Sequence, residues 1–291
     1  MEKRFRVGAA STGPADDGLG RALDAAEPRV LALVEAGCDL VILPELFAVP
    51  YAAAKEPEAW RHLAEPLDGP TAAWAVGLAK RTGVPILFGM ALSVALLPER
   101  GRHAKPFNAA VLARPGHAAA EVVALKIHLP PVADGDRFGE ADHFEAGPAT
   151  VGVVEIGPIR LAALVCYDRR FPESWRAVAA AGADAVAVLV SGPAPSDPDG
   201  IFEAEMRTHA RANAVYAIAA ARYGTETITG GPVRHDGSTV AISPDGAIAS
   251  GPSGPTGGVT VDIDPNQIRI AAARNPTARR LRLPAVPIHE Q

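Results

Sequence analysis

Apolar residues in this chain come in short runs separated by longer stretches in which alanine alternates with polar residues. The short runs predict strands: "FRVGAA", "CDLVILP", "VPILFGM", "NAAVLA", "EVVALKI", "ATVGVVEI", "IRLAALVC", "DAVAVLV", "VYAIAAA", "STVAIS" and "GGVTVDI". The longer amphipathic stretches predict helices over 18–37, 70–82, 172–182 and 201–214. The third opens on Pro172, which suits a first helical turn, and Gly182 marks its end. Such alternation is the pattern of an α/β protein. Eleven strand candidates against four helices are too many strands for a simple doubly wound sheet. Between 84 and 166 the links are too short for helical crossovers, so part of the sheet must be antiparallel or mixed. Two packed sheets with helices on their outer faces satisfy both observations.

No linker divides the chain and no internal repeat is evident, so residues 1–291 read as a single domain. "GPAPSDPDG" (192–200) and "SGPSGPTGG" (250–258) read as long Gly/Pro-rich loops within it. The hydrophobic content of 48% is ample for a sizeable core. A formal charge of −5 argues against a nucleic-acid partner, whose footprint is basic. The most apolar long stretch, "AVAAAGADAVAVLV", is interrupted by Asp184 and is too short to span a bilayer. The apolar part of "MEKRFRVGAAS" is likewise too short for a secretory leader. Only two cysteines are present, Cys38 and Cys166, too far apart for a metal-binding pair and too few for a disulfide framework. These features predict a cytoplasmic protein without metal or cofactor.

The chemistry gathers where apolar runs end. "CDLVILPE" delivers Glu45, "EVVALK" delivers Lys126 and "IRLAALVC" delivers Cys166. Strand ends in α/β sheets are where ligand clefts form. Taken singly, each residue has an ordinary explanation: a solvated loop carboxylate, an edge-protecting lysine, a small buried cysteine. Cys38, in "EAGCDLV", fits the last of these. Cys166 does not, because Asp168, Arg169, Arg170 and Glu173 follow it at once. Together the trio could hydrolyse an amide. A glutamate takes the proton of the thiol, the thiolate attacks a carbonyl, and an ammonium stabilises the oxyanion. The glutamate then protonates the leaving amine and activates water.

"LVILPELF", "LKIHLP" and "LVCYDRRFPE" resemble the three signature segments of the nitrilase superfamily of carbon–nitrogen hydrolases. The order and the spacings of 81 and 40 residues between Glu45, Lys126 and Cys166 suit that family. Supporting likenesses are "FNAAVL" (107–112), "FGEADHFEAG" (138–147), "RANAVYAIAAARYG" (211–224) and "DGSTVAISPDG" (236–246). The resemblance implies an αββα sandwich, two mixed β-sheets with helices on the outer faces, that dimerises and often builds larger homo-oligomers. It implies Glu45 as general base, Lys126 as oxyanion stabiliser and Cys166 as nucleophile. Glu140 matches a second glutamate beside the lysine, and the backbone N–H of Tyr167 is the expected second oxyanion donor. The chain departs from the usual pattern at Ala124 and Leu125, where an aromatic–arginine pair is common. It departs again at Ala221, where an asparagine is common, and after "AVAVLV", where an aromatic residue is often present. These departures leave the triad intact and bear on the acyl pocket.

"CYDRRFPE" is similar to the amidase and carbamoylase branches, which implies a small amide or carbamoyl substrate. Arg170 and Arg169 are candidate carboxylate ligands, because an arginine fork matches a carboxylate. Arg170 is the stronger of the two, and Arg169 is the candidate for a surface position. An ion-pair network with Asp168 and Glu173 is the competing explanation for both. His128 is a further candidate for substrate binding, with a structural hydrogen-bonding role as its alternative; His143 reads as structural. Acyl transfer, nitrile hydrolysis and a non-catalytic small-molecule-binding role remain open alternatives.

Overall fold

The structure is a computed structural model that describes residues 4–52, 55–93, 105–132, 137–192, 198–228, 231–253, 257–277 and 280. Its strands, in chain order, begin with β1 (Phe5–Ala10), β2 (Leu40–Ile42), β3 (Ile86–Leu92), β4 (Phe107–Ala113) and β5 (Glu121–Leu125). There follow β6 (Val153–Ile156), β7 (Ile159–Val165), β8 (Ala185–Val190), β9 (Tyr216–Ala221), β10 (Tyr223–Ile228) and β11 (Gly231–Asp236). The last three are β12 (Thr239–Ile242), β13 (Ile248–Ser253) and β14 (Gly258–Ile263). The helices are α1 (Leu19–Glu35), α2 (Pro57–Trp60), α3 (Pro70–Thr82), α4 (Glu140–His143), α5 (Pro172–Ala180), α6 (Ile201–Asn213) and α7 (Pro265–Arg274).

Two six-stranded mixed sheets form, in the orders β14-β1-β2-β3-β4-β5 and β13-β12-β9-β8-β7-β6, with a two-stranded ribbon β10-β11 beside them. The alternation of side chains along each strand builds the layers. Leu40 and Ile42 of β2 meet Leu161, Ala163 and Val165 of β7 in the core between the sheets. Their neighbours Val41 and Leu43 face the opposite way, onto Val30 of α1 and Leu78 of α3. Ala162 and Leu164 of β7 face Trp175 of α5 and Met206 of α6. Strands buried on both faces therefore read as unbroken apolar runs, as "DLVILP" and "AVAVLV" do. This is the expected αββα sandwich.

All eleven predicted runs contain a strand, and all four predicted helices form within two residues of their expected ends. α3 ends on Gly83 in the left-handed region (φ 72°), and Gly182 (φ 90°) follows α5 as expected. Strands β10, β11 and β13 and helices α2, α4 and α7 were not predicted. The expected loop at 250–258 is in part strand: β13 runs to Ser253 and β14 starts at Gly258, while 254–256 lie outside the described residues. Of the other predicted loop, 193–197 lie outside them too.

The topology decides where chemistry can sit. β7, β8 and β9 are mutually parallel, so Cys166, Ser191 and Arg222 follow the C-terminal ends of three adjacent strands. In the other sheet β2 is parallel to β3, and two antiparallel pairings return β5 to the same direction. Glu45 and Lys126 therefore leave the corresponding edge of that sheet. Open α/β sheets place their ligand sites at this edge.

Candidate active site

Glu45 lies in the turn after β2, anchored by Leu43 N–H to Leu87 O (2.8 Å) and by Gly89 N–H to Pro44 O (3.1 Å). Gly89 is required there: a Cβ on it would lie 2.5 Å from Glu45 Cα and 2.7 Å from Pro44 O. Lys126 is the first residue beyond β5, its N–H bonded to Asn108 O at 2.8 Å. Glu140 begins α4. These three charged side chains are almost wholly inaccessible, at 1%, 0% and 4% exposure for Glu45, Lys126 and Glu140.

Burial of charge is tolerable only when each group is paired and hydrogen-bonded. Lys126 Nζ donates to Glu45 Oε1 (2.8 Å) and to both oxygens of Glu140 (2.8 and 2.7 Å). Glu45 Oε1 also accepts from Asn108 Nδ2 (2.7 Å), and its Oε2 accepts the Ser191 N–H (2.7 Å). Asn108 carries no charge and was not among the predicted site residues. Its only sequence signal was its place in "FNAAVL". The Ser191 amide carries no side-chain signal at all.

The electrostatics separate the two glutamates. Burial raises the Glu45 pKa, but the Lys126 charge, its hydrogen bond and those from Ser191 and Asn108 outweigh it, leaving Glu45 below its ordinary value. At Glu140, burial and the nearby Glu45 charge prevail over Lys126 and the pKa is raised. Burial disfavours the Lys126 ammonium, yet Glu140 and Glu45 overcome it and hold its pKa well above normal. Lys126 is thus a fixed cation, unable to serve as a base.

Cys166 follows β7 with φ at +48°, in the left-handed region that a non-glycine residue rarely adopts. Residues Cys166–Arg170 form a single 3₁₀ turn before α5. Burial, then the Glu45 charge, pushes the thiol up to about 12, partly opposed by Lys126 and Arg169. The resting group is therefore a neutral thiol under the direct field of an ionised carboxylate. Tyr51 lies in the field of the same groups. Burial and then Glu140 hold its phenol well above the usual range, with Glu45 and Cys166 adding to the shift.

Asp168 ties the two sheets together at the site. Its Oδ1 accepts the N–H groups of Ile127 (3.2 Å) and His128 (2.8 Å), just past Lys126, and contacts His128 Nδ1 at 2.8 Å. In the sequence it stood as one charge in a polar cluster and as a candidate ion-pair partner of the arginines. His128 stacks on Phe171, ring centroids 3.6 Å apart. Tyr167 packs edge-on against Phe171. His143 is buried, its ring nitrogens 3.0 Å from Gly139 O and 2.8 Å from Lys55 O.

The two arginines part company. Arg169 is not at the surface. It is 3% exposed, with Nε 3.3 Å from Glu205 Oε2, its guanidinium over the Phe202 ring, and its carbonyl accepting from Trp175 Nε1. Arg170 is half-buried, its guanidinium over the Tyr167 ring. Among the described residues no group of three or more His, Cys, Asp or Glu is arranged to hold a metal ion. No helix among them is long and apolar enough to cross a membrane.

The sandwich is thus a cysteine-bearing α/β fold in which a thiol at a strand end of one sheet lies in the field of an ammonium and two carboxylates that follow strands of the other. The carbon–nitrogen hydrolase family matches residues 7–273, and the chain belongs to that family. It is 32% identical to the "hydrolase in pqqF 5'region" of Pseudomonas protegens, over 75% of this chain and 68% of that one. It is 29% identical to the N-carbamoylputrescine amidase of Solanum lycopersicum, over 80% of this chain and 73% of that one. Its fold superposes on the crystal structure of a carbon–nitrogen hydrolase from Helicobacter pylori with a TM-score of 0.82, at 22% identity and 96% coverage of both chains.

Proposed function

We propose that this carbon–nitrogen hydrolase cleaves the amide or carbamoyl group of a small substrate through a thioester on Cys166, releasing ammonia. The observation that carries the reading is the triply hydrogen-bonded Glu45, held against the Lys126 cation, whose charge reaches the Cys166 thiol. In it, Cys166 gives its proton to Glu45 as Sγ attacks the carbonyl carbon. The oxyanion is held by the Lys126 ammonium and the Tyr167 N–H. Glu45 returns the proton to the departing nitrogen, the carbon–nitrogen bond breaks, and ammonia leaves a thioester. Glu45 next takes a proton from water, whose oxygen attacks the thioester; the carbon–sulfur bond breaks, the acid leaves, and Glu45 returns the proton to Sγ, restoring thiol and carboxylate. Glu140 keeps Lys126 charged and in place.

Burial of Arg169 against Glu205 and Phe202 leaves Arg170 as the arginine we assign to a substrate carboxylate. We place His128 at the rim of the acyl pocket, oriented by Asp168 and Phe171. Support for the substrate class comes from the N-carbamoylputrescine amidase likeness. The test is a panel of N-carbamoyl amino acids, dicarboxylate ω-amides and aliphatic amides, scored for ammonia and carbon dioxide. Carbamoyl hydrolysis gives both gases and an amine, and amide hydrolysis gives ammonia and an acid. Arg170→Ala should raise KM for carboxylate-bearing members alone; no ammonia from any member would overturn the assignment.

A further inference from the structure

The ribbon β10-β11, with Arg222 just before it, holds a second buried ionic cluster that the mechanism above does not use. Arg222 and Glu226 are wholly inaccessible and His235 is 2% exposed. A buried ion pair is a poor device for stability alone, because apolar side chains of similar size do as well. What this one touches is informative. Arg222 Nη1 donates to Leu46 O (3.2 Å) and Val49 O (3.0 Å), and its Nη2 pairs with Glu226 Oε1. Glu226 Oε2 accepts the Tyr51 N–H at 2.8 Å, and Oε1 accepts the Ala15 N–H at 2.9 Å. One ion pair therefore satisfies three backbone groups of a single segment, residues 46–51, which starts next to Glu45 and ends at Tyr51. Leu46 within it has φ at +46°, a conformation that persists only when its surroundings enforce it.

The same cluster reaches Glu45 from the other side. His235 Nε2 lies 3.2 Å from Glu226 Oε2, off the line of a straight hydrogen bond. Its Nδ1 donates to Ser191 O at 2.9 Å. The Ser191 N–H in turn donates to Glu45 Oε2 at 2.7 Å. The His235 ring also meets the Tyr51 ring edge-on, centroids 6.2 Å apart. A closed circuit runs from Glu45 through its own loop to Arg222, Glu226, His235 and Ser191, and back to the Glu45 carboxylate.

We infer that Arg222, Glu226 and His235 are positioning residues for the general base: they fix the loop that carries Glu45 and Tyr51 and aim the Ser191 amide at the carboxylate. The inference rests on Glu45 being that base. Arginine suits the place because separate nitrogens of its planar fork serve the two carbonyls and the carboxylate, whereas a lysine offers a single nitrogen. Misalignment of a reacting group by about an ångström costs up to about a hundredfold in rate.

The experiment uses the best substrate of the panel above and compares Arg222→Lys, Glu226→Gln, His235→Asn and His235→Leu with the parent enzyme. Thermal melting confirms that each is folded. Glu45 faces Lys126 just past β5, Glu140 at the start of α4, Asn108 on β4, Cys166 just past β7, Arg222 just past β9 and Tyr51 in its own loop. The two His235 variants alter none of these. Removing the Nδ1 donor in His235→Leu frees Ser191, weakens a bond that lowers the Glu45 pKa, and moves the acid limb of kcat/KM to higher pH. His235→Asn keeps a donor near Ser191 and holds the limb in place. Arg222→Lys and Glu226→Gln should lower kcat about tenfold to a hundredfold with KM little changed. Folded His235→Leu enzyme with parental kcat and an unmoved acid limb overturns the inference, even if the ion-pair variants do not fold. Glu45→Gln is the reference: full turnover in that variant overturns the base assignment and this inference together.

Discussion

Two thiols of similar acidity sit in different company: Cys38 is buried and Cys166 half-buried. Cys38 sits at 3% exposure just before β2, its sulfur close to the space above Gly8. Burial raises its pKa to about 11, much as burial raises that of Cys166 to about 12. Neither is a ready thiolate, so acidity does not distinguish them. Their neighbours do. Around Cys38 the charges are Arg6, Asp39 and Asp262, the first and last committed to each other by hydrogen bonds. Around Cys166 stand an ionised Glu45 and a fixed Lys126 cation, and Cys166 itself, at φ +48°, begins the turn at a strand end. In the proposed mechanism, reactivity is supplied by a base and a cation whose charges both reach the thiol, and is delivered when a carbonyl arrives.

The sharpest way to break this contrast is to truncate each thiol. Cys166→Ala should reduce turnover by about four orders of magnitude or more. Cys38→Ala should leave kcat and KM unchanged and cost about 1 kcal/mol of stability for the lost packing. Steady-state ammonia release and thermal melting read the two effects, and equal kinetic losses would erase the distinction. Next in size is Glu45→Gln, which keeps the shape but removes the base and should lower kcat about 10²–10⁴-fold.

The smallest effect concerns alkaline stability. A thiol whose folded pKa is raised favours the native state fully below its unfolded value and loses that contribution as pH rises through the folded value. For Cys38 the window runs from the ordinary thiol value to about 11. Melting temperature should therefore fall less steeply across that window in Cys38→Ala than in the parent protein. Parallel curves would show that the thiol is not in the buried, neutral state described.

The sandwich was readable because strands buried on both faces must be apolar throughout, and helices covering one face must be periodic. The ribbon was not, for the same reason inverted. In "YGTETI" and "GPVRHD" the inward-facing residues are Glu226 and His235, so no apolar alternation marks either strand. β13, "IASGPS", is largely exposed and gives no signal at all. Helix α7 did carry one: Asp264 before Pro265 is a capping sequence, and its side chain accepts the Asn266 N–H at 2.8 Å. In the site, the charged groups that end apolar runs were legible, whereas Asn108, Asp168 and the Ser191 amide were not. Asn108 and Asp168 look ordinary in sequence, and a backbone donor has no letter of its own.

Gly89 carries no functional atom, yet its bare backbone sets the clearance for the turn that bears Glu45. A single methyl group there would push on the Glu45 main chain, and the displacement would surface as a kinetic defect at a residue that never meets substrate. Alignment of the carboxylate is in this sense a machining tolerance, held by the absence of a side chain on the neighbouring strand.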